Sequence, residues 1–169
     1  AASFSIDATT GQVKLLTPAD FEVKSSYSIT VNAKDASHTT TKAVTISVTD
    51  VDEAPSFTSG ATGTVAENAA TGATVYTAAA ADPETGTVTY SLSGTDASAF
   101  SIGSSSGVVT LNASADYETK SSYSINVIAA DAASHTVSKT VTINATNVNE
   151  APTAANFTSA GLDNTTAIT

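Results

Sequence analysis

The chain copies itself. Phe4-Ser-Ile-Asp-Ala-Thr-Thr-Gly11 returns as Phe100-Ser-Ile-Gly-Ser-Ser-Ser-Gly107, 96 residues later. Lys24-Ser-Ser-Tyr-Ser-Ile29 returns at the same offset as Lys120-Ser-Ser-Tyr-Ser-Ile125, and 18 of the 32 positions of Phe4–Asp35 are identical to Phe100–Asp131. A period of this length suits one small sandwich domain and is too long for a solenoid repeat. The repeat divides the chain out of phase. Residues 1–52 read as the second half of one repeat, 53–149 as a complete repeat, and 150–169 as the start of a third.

Within each copy the apolar residues alternate. Tyr27, Ile29, Val31 and Ala33 point one way, while Ser28, Thr30, Asn32 and Lys34 point the other. Val44, Ile46 and Val48 behave alike, and the second copy repeats the pattern with Tyr123, Ile125, Val127 and Ala129, then Val141 and Ile143. Period-two alternation predicts antiparallel strands with one buried and one wet face. The Thr and Ser of the wet face suit strands, and Gly11, Gly86, Gly94 and Gly107 mark turns. The expected fold is all-β: tandem antiparallel Greek-key β-sandwich repeats of immunoglobulin-like type. Ala78–Ala81 has helical propensity, but it follows Thr74-Val-Tyr-Thr77 and reads as a strand end.

Charge narrows the function. Sixteen acidic residues against six Lys and Arg give a net charge of −10. Such a chain repels nucleic acid and anionic membranes and attracts divalent cations. No apolar run approaches a membrane span, and the N-terminal residues carry no charged and apolar regions of a signal peptide, so the chain reads as an interior segment. Cys is absent. A secreted domain without disulfides needs another staple, and metal is the obvious one. Neither the Gly-x-Ser-x-Gly nor the phosphate-loop pattern occurs, so no enzyme is expected. His38 and His135 lie in equivalent positions, each after Ser. Without ligands repeating at suitable spacing they read as surface-loop residues. The Asn-x-Ser/Thr sequons at Asn112, Asn144, Asn156 and Asn164 point to surface exposure.

The acids gather in short motifs beside strand ends: Ala66-Glu67-Asn68, Asp82-Pro-Glu84, Asp116-Tyr-Glu118 with its copy Asp20-Phe-Glu22, and Asp131 alone. Two linkers follow the strands, Asp50-Val-Asp-Glu-Ala-Pro55 and Asn147-Val-Asn-Glu-Ala-Pro152. In this order the motifs resemble cadherin repeats, especially bacterial cadherin-like ones. The resemblance covers nearly the whole chain. It implies calcium at each repeat boundary, held by an opening Glu and an acidic loop from above, by the linker, and by an Asp-x-Asp loop and a lone Asp from below. At the first boundary it assigns Asp20 and Glu22 from above, Asp50, Asp52 and Glu53 from the linker, and Asp82, Glu84 and Asp131 from below. At the second it assigns Glu67, Asp116 and Glu118, with Asn147 and Asn149 in the linker. The sequence departs from the family pattern in three places: Glu84 replaces the usual Asp, the linker is one residue short, and Asn147 and Asn149 stand in place of acids. Fewer charges at the second boundary imply weaker calcium binding. The third repeat begins with Gly161-Leu-Asp-Asn164, which lacks the opening Glu.

The resulting expectation is a calcium-rigidified repeat of a large extracellular bacterial adhesin or surface fibre, contributing to cell adhesion at the cell surface. Its partners are neighbouring repeats, in the same or an adjoining chain through head-to-tail association. Two alternatives stay open: a homophilic or polysaccharide-binding module, or an accessory repeat beside an extracellular enzyme domain. The absence of Trp weighs against a sugar platform.

Overall fold

The computed structural model describes residues 3–151. The regular structure is strand throughout, apart from one 3-10 turn at Ala97–Ala99. Two hairpins come first. β1 (Phe4–Ile6) pairs with β2 (Val13–Leu15), and β3 (Ser26–Lys34) pairs with β4 (Thr39–Ser47), both antiparallel. The turn between β1 and β2 is closed by Asp7, whose Oδ1 accepts the N–H groups of Thr9 and Thr10 at 2.8 and 3.0 Å. It ends on Gly11 at φ +71°, a conformation that penalises any Cβ.

Nine strands follow: β5 (Ser56–Phe57), β6 (Thr62–Ala66), β7 (Thr74–Thr77), β8 (Ala80–Ala81), β9 (Thr89–Ser93), β10 (Phe100–Ile102), β11 (Val108–Leu111), β12 (Ser122–Ala130) and β13 (Thr136–Thr146). They form a four-stranded sheet in the order β6-β13-β12-β9 and a three-stranded sheet in the order β10-β11-β7, with β5 and β8 paired beside them. All pairs are antiparallel except β6 with β13, which run parallel. A parallel pair cannot be closed by a tight turn, and here the chain builds the rest of the sandwich between them. The alanine run stays extended. It carries the chain from β7, paired with β11, to β8, paired with β5, and Ala78 between them is buried.

The core lies between the two sheets. Val109, Ile125, Val127, Val141 and Ile143 are fully buried, and Val65, Val75, Tyr76, Phe100 and Leu111 close around them. Alternation along β12 puts Ile125, Val127 and Ala129 inside, as the sequence pattern predicts. Gly63 lets β6 approach: a Cβ there would sit 2.4 Å from the Val75 carbonyl oxygen and 2.6 Å from Ile143 Cδ1.

The copied residues keep their local contacts in the first hairpins. Phe4 meets Tyr27 edge-to-face with ring centroids 5.0 Å apart, as Phe100 meets Tyr123 at 5.4 Å. Burial differs. Leu111 is 2% exposed and its counterpart Leu15 is 43% exposed. Among the described residues, no strands cover β1–β4 in the way that β6, β7 and β9 complete the second copy.

The sheet directions sort the acidic motifs. β6 and β13 end where β12 begins, because Ala66 pairs with Thr146 and Ser122 with Asn144. Glu67, the turn holding Asp116 and Glu118, and the linker after β13 therefore share one end of the sandwich. Asp131, at the far end of β12, lies at the other. The start of the third repeat expected at 150–169 falls, from Pro152 onward, outside the described residues.

Candidate metal centre

Among the described residues three groups of side chains converge, each offering three ligand atoms within 4.8 Å of one another. Two lie around the first linker and one around the second.

The first group is Glu22, Glu53 and Glu84. Glu22 comes from the turn before β3, Glu53 from the linker after β4, and Glu84 from the turn after β8. The Glu53 N–H donates to Glu84 Oε1 at 3.0 Å, tying linker to loop across 31 residues. The other oxygen, Glu84 Oε2, is buried and has no hydrogen-bond partner. The Glu53 backbone N–H, with the side chains of Asp82 and Glu53, holds Glu84 down at about 2. Glu53 is pushed up to about 7 by sharing a hydrogen bond with Glu84, then by desolvation and the charges of Glu22, Glu84 and Asp20. Asp82 is also raised, chiefly by its hydrogen bond with Glu84.

Asp20 and Asp50 flank this group without joining it. Asp20 Oδ1 accepts the Val23 N–H at 2.9 Å, closing its own turn, and lines a cleft with Glu22 and Glu53. Asp50 lines a second cleft with Glu22 and Glu84.

The second group is Asp52, Asp131 and His135. The Asp131 side chain is 2% exposed, and its Oδ1 accepts the His135 backbone N–H at 2.8 Å. His135 Nδ1 lies 3.1 Å from Asp131 Oδ2 and 3.1 Å from Asp52 Oδ2. The reading of His135 as a plain surface-loop residue is therefore incomplete. The ring is half-exposed, yet the loop after β12 folds it back between two carboxylates. Its counterpart His38 stays in the open, 3.6 Å from Asp35.

The third group is Glu67, Glu118 and Glu150. Here donors occupy four of the six carboxylate oxygens. Buried Glu67 accepts the Val148 N–H at 2.5 Å and the Tyr117 N–H at 2.8 Å, and these two bonds hold its pKa below the usual carboxylate range. Asn147 Nδ2 donates to Glu118 at 2.8 Å, and Asn68 Nδ2 donates to Glu150 at 2.7 Å. Asp116 turns away to close its own turn on Thr119, and Asn149 is exposed in the linker.

Sequence reasoning missed His135 and Glu150 as members of these groups. The signal for Glu150 was present, since it matches Glu53 in the copied linker. A backbone signal marks all three groups. Among the described residues, the non-glycine residues with positive φ are Asn68 at 60°, Thr85 at 61° and Ser134 at 76°, and they adjoin Glu67, Glu84 and His135. Strained backbone of this kind concentrates at sites where side chains must be aimed.

A family model described as "Cadherin domain" matches residues 61–146. Protocadherin Fat 4 of Mus musculus is 35% identical over 132 residues, covering 73% of this chain and 3% of that protein. The protocadherin-like wing polarity protein stan of Drosophila melanogaster is 36% identical over 161 residues, covering 88% of this chain and 4% of that protein. The chain thus spans only a small fraction of these relatives. Among solved structures, repeats EC22-24 of mouse cadherin-23 superpose with a TM-score of 0.62 at 27% identity, over 86% of this chain and 50% of that one. Protocadherin gamma B2 domains 1–5 share the fold, with a TM-score of 0.63 at 22% identity over 90% of this chain and 32% of that one.

Proposed function

This chain belongs to the cadherin family, and on that premise we propose that it is a calcium-rigidified structural repeat of a large extracellular array that contributes to cell adhesion. The observation that carries the reading is Glu84 Oε2. A carboxylate oxygen removed from water and given no donor is costly, and this one sits in an all-oxygen group drawn from three parts of the chain. Ligand atoms within 4.8 Å of one another can share one ion, because two oxygens bound at 2.3–2.6 Å stand at most about 5 Å apart. Calcium would supply there a divalent charge able to satisfy several carboxylate oxygens at once.

The chain's own residues supply the mechanics. Glu22 precedes the linker, Glu53 belongs to it and Glu84 follows it, so holding all three at one point fixes the linker against both neighbours. Asp20, Asp50 and Asp82 surround the group and deepen its negative potential. With no cation these carboxylates repel, opposed by the backbone N–H groups that bond Glu84, Asp82 and Asp20. Repeated along an array, such boundaries give a rod whose partners are its neighbouring repeats. Nearly copied segments and the Ala/Thr/Ser-rich composition support a bacterial surface adhesin or fibre as the host protein.

Calcium titration by calorimetry, with melts in calcium and in EDTA, tests the reading. Saturable binding with a higher melting temperature in calcium supports it. No binding at millimolar calcium, with superimposable melts, would reduce the chain to a cadherin-fold spacer.

A further inference from the structure

We propose that the complete repeat carries tension along the chain, and that the parallel pairing of β6 with β13 is its shear clamp. β6 is the first strand of the four-stranded sheet and β13 is the last strand of the repeat, yet they lie side by side in the order β6-β13-β12-β9. Five register pairs join them, from Thr62↔Thr142 to Ala66↔Thr146. Two backbone bonds of 3.0 Å bracket the ladder: the Thr142 N–H donates to the Ala61 carbonyl, and the Glu67 N–H donates to the Thr146 carbonyl. The Thr146 hydroxyl adds a bond to the Val65 carbonyl at 3.3 Å.

Direction decides what force does to this pair. The chain enters the repeat from the first linker, ahead of β6, and leaves it through the second linker, after β13. In a parallel pair the start of one strand and the end of the other lie at opposite ends of the ladder. Tension therefore draws β6 back past Thr62 and β13 onward past Thr146. The strands must slide, and every bond between them is loaded at once. Antiparallel neighbours behave otherwise. Ser122 pairs with Asn144, so the start of β12 and the end of β13 share one end of their ladder. Pulling those points apart opens the bonds one after another. Packing adds to the clamp. A slip of one residue would turn buried Val65 outward and take Gly63 from its slot against the Val75 carbonyl and Ile143. Lys139 of β13 donates to the Ser59 carbonyl and lies 5.5 Å over the Phe57 ring, which ties β5 and the turn before β6 to the last strand. The source of the tension rests on the adhesive array proposed above, whereas the clamp uses none of the acidic side chains.

Single-molecule stretching of the full chain tests this, in EDTA so that no ion at a linker contributes. The chain has no Cys, so paired Cys substitutions set the two points of pull. Thr62→Cys with Thr146→Cys loads β6 against β13 in shear. Ser122→Cys with Thr146→Cys peels β12 from β13. All three positions are exposed on the outer face of the sheet, and thermal melts check that both variants fold alike. Forced unfolding reads a barrier along the direction of pull, whereas equilibrium stability is common to both pairs. The shear pair should unfold at a force about twofold higher or more at the same pulling speed, because only that geometry shares the load across the ladder. Thr142→Pro, which lacks the N–H that bonds Ala61, should lower the shear force by a larger fraction than the peel force. Where that variant does not fold, the two pulling geometries of the otherwise unchanged chain still decide. Equal forces in the two geometries, or a higher force for the peel pair, would overturn the proposal. The difference should persist in EDTA even if calcium alters neither trace, so failure of the calcium reading leaves this test intact.

Discussion

The backbone N–H of Glu53 points at Glu84 Oε1 across 3.0 Å, and the partner oxygen of that carboxylate is buried with nothing to accept from. One peptide group thus fixes half of a carboxylate, and the other half is left for a ligand. Glu84→Gln tests this division. The amide keeps the shape and can still accept the Glu53 N–H, but it removes a charge from the group. Calcium affinity should fall by about tenfold or more, since charge count tunes calcium sites over decades. In EDTA the variant should melt no lower than the parent, because one of the repelling charges is gone. Calorimetry and paired melts read both effects.

Asp96 gives a pH dependence outside the three acidic groups. Its carboxylate pairs with Lys120 and accepts the Ser124 N–H at 2.7 Å, and these partners, Lys120 foremost, hold its pKa below the ordinary 3.8. The folded pKa is depressed, so the stabilisation is complete above the unfolded value and disappears as pH falls through the folded one. Acid unfolding should therefore steepen below about pH 4. Asp96→Asn should flatten that slope and cost about 1–2 kcal/mol at neutral pH, as loss of a charged hydrogen-bond acceptor does. Urea midpoints measured from neutral pH down to the acid limit of folding would show it.

Gly63 tests how closely the two sheets approach. An added Cβ would fall 2.4 Å from a backbone oxygen that cannot swing aside. Gly63→Ala should destabilise by about 1–3 kcal/mol, the usual cost of overpacking, and lower the urea midpoint with little change in slope. Gly60, two positions before the same strand begins at Thr62, has open space around its missing Cβ, and Gly60→Ala should leave the midpoint within error.

Much of this architecture is legible in the sequence because each repeat states it twice. Alternation at Ile125 and Val127 gives the buried face of β12, and the Phe100–Tyr123 contact is announced by its copy at Phe4 and Tyr27. The parallel pairing of β6 with β13 is not legible, since residues 80 positions apart carry no local sign of their register. The same limit hides His135. Spacing along the chain shows its distance from Asp131, but its approach to Asp52 depends on where the linker runs. Leu15 shows the converse. It has the sequence environment of buried Leu111 and yet lies open, because burial belongs to the strands opposite, not to the residue.

The second linker should respond to calcium differently from the first. Its carboxylates already have donors: two backbone N–H groups on Glu67, Asn147 on Glu118 and Asn68 on Glu150. Those bonds satisfy both oxygens of Glu67 and one each of Glu118 and Glu150 without a cation, so less is gained by supplying one. Asn147→Asp replaces the donor facing Glu118 with another acceptor of like charge. In EDTA the variant should melt below the parent, because two carboxyl groups then face each other where a donor and an acceptor met before. In calcium the deficit should shrink, since an ion can now bridge the pair. The gap between melts in calcium and EDTA should therefore be wider for Asn147→Asp than for the parent. An equal gap would mean that the Asn147–Glu118 bond plays no part in holding the linker.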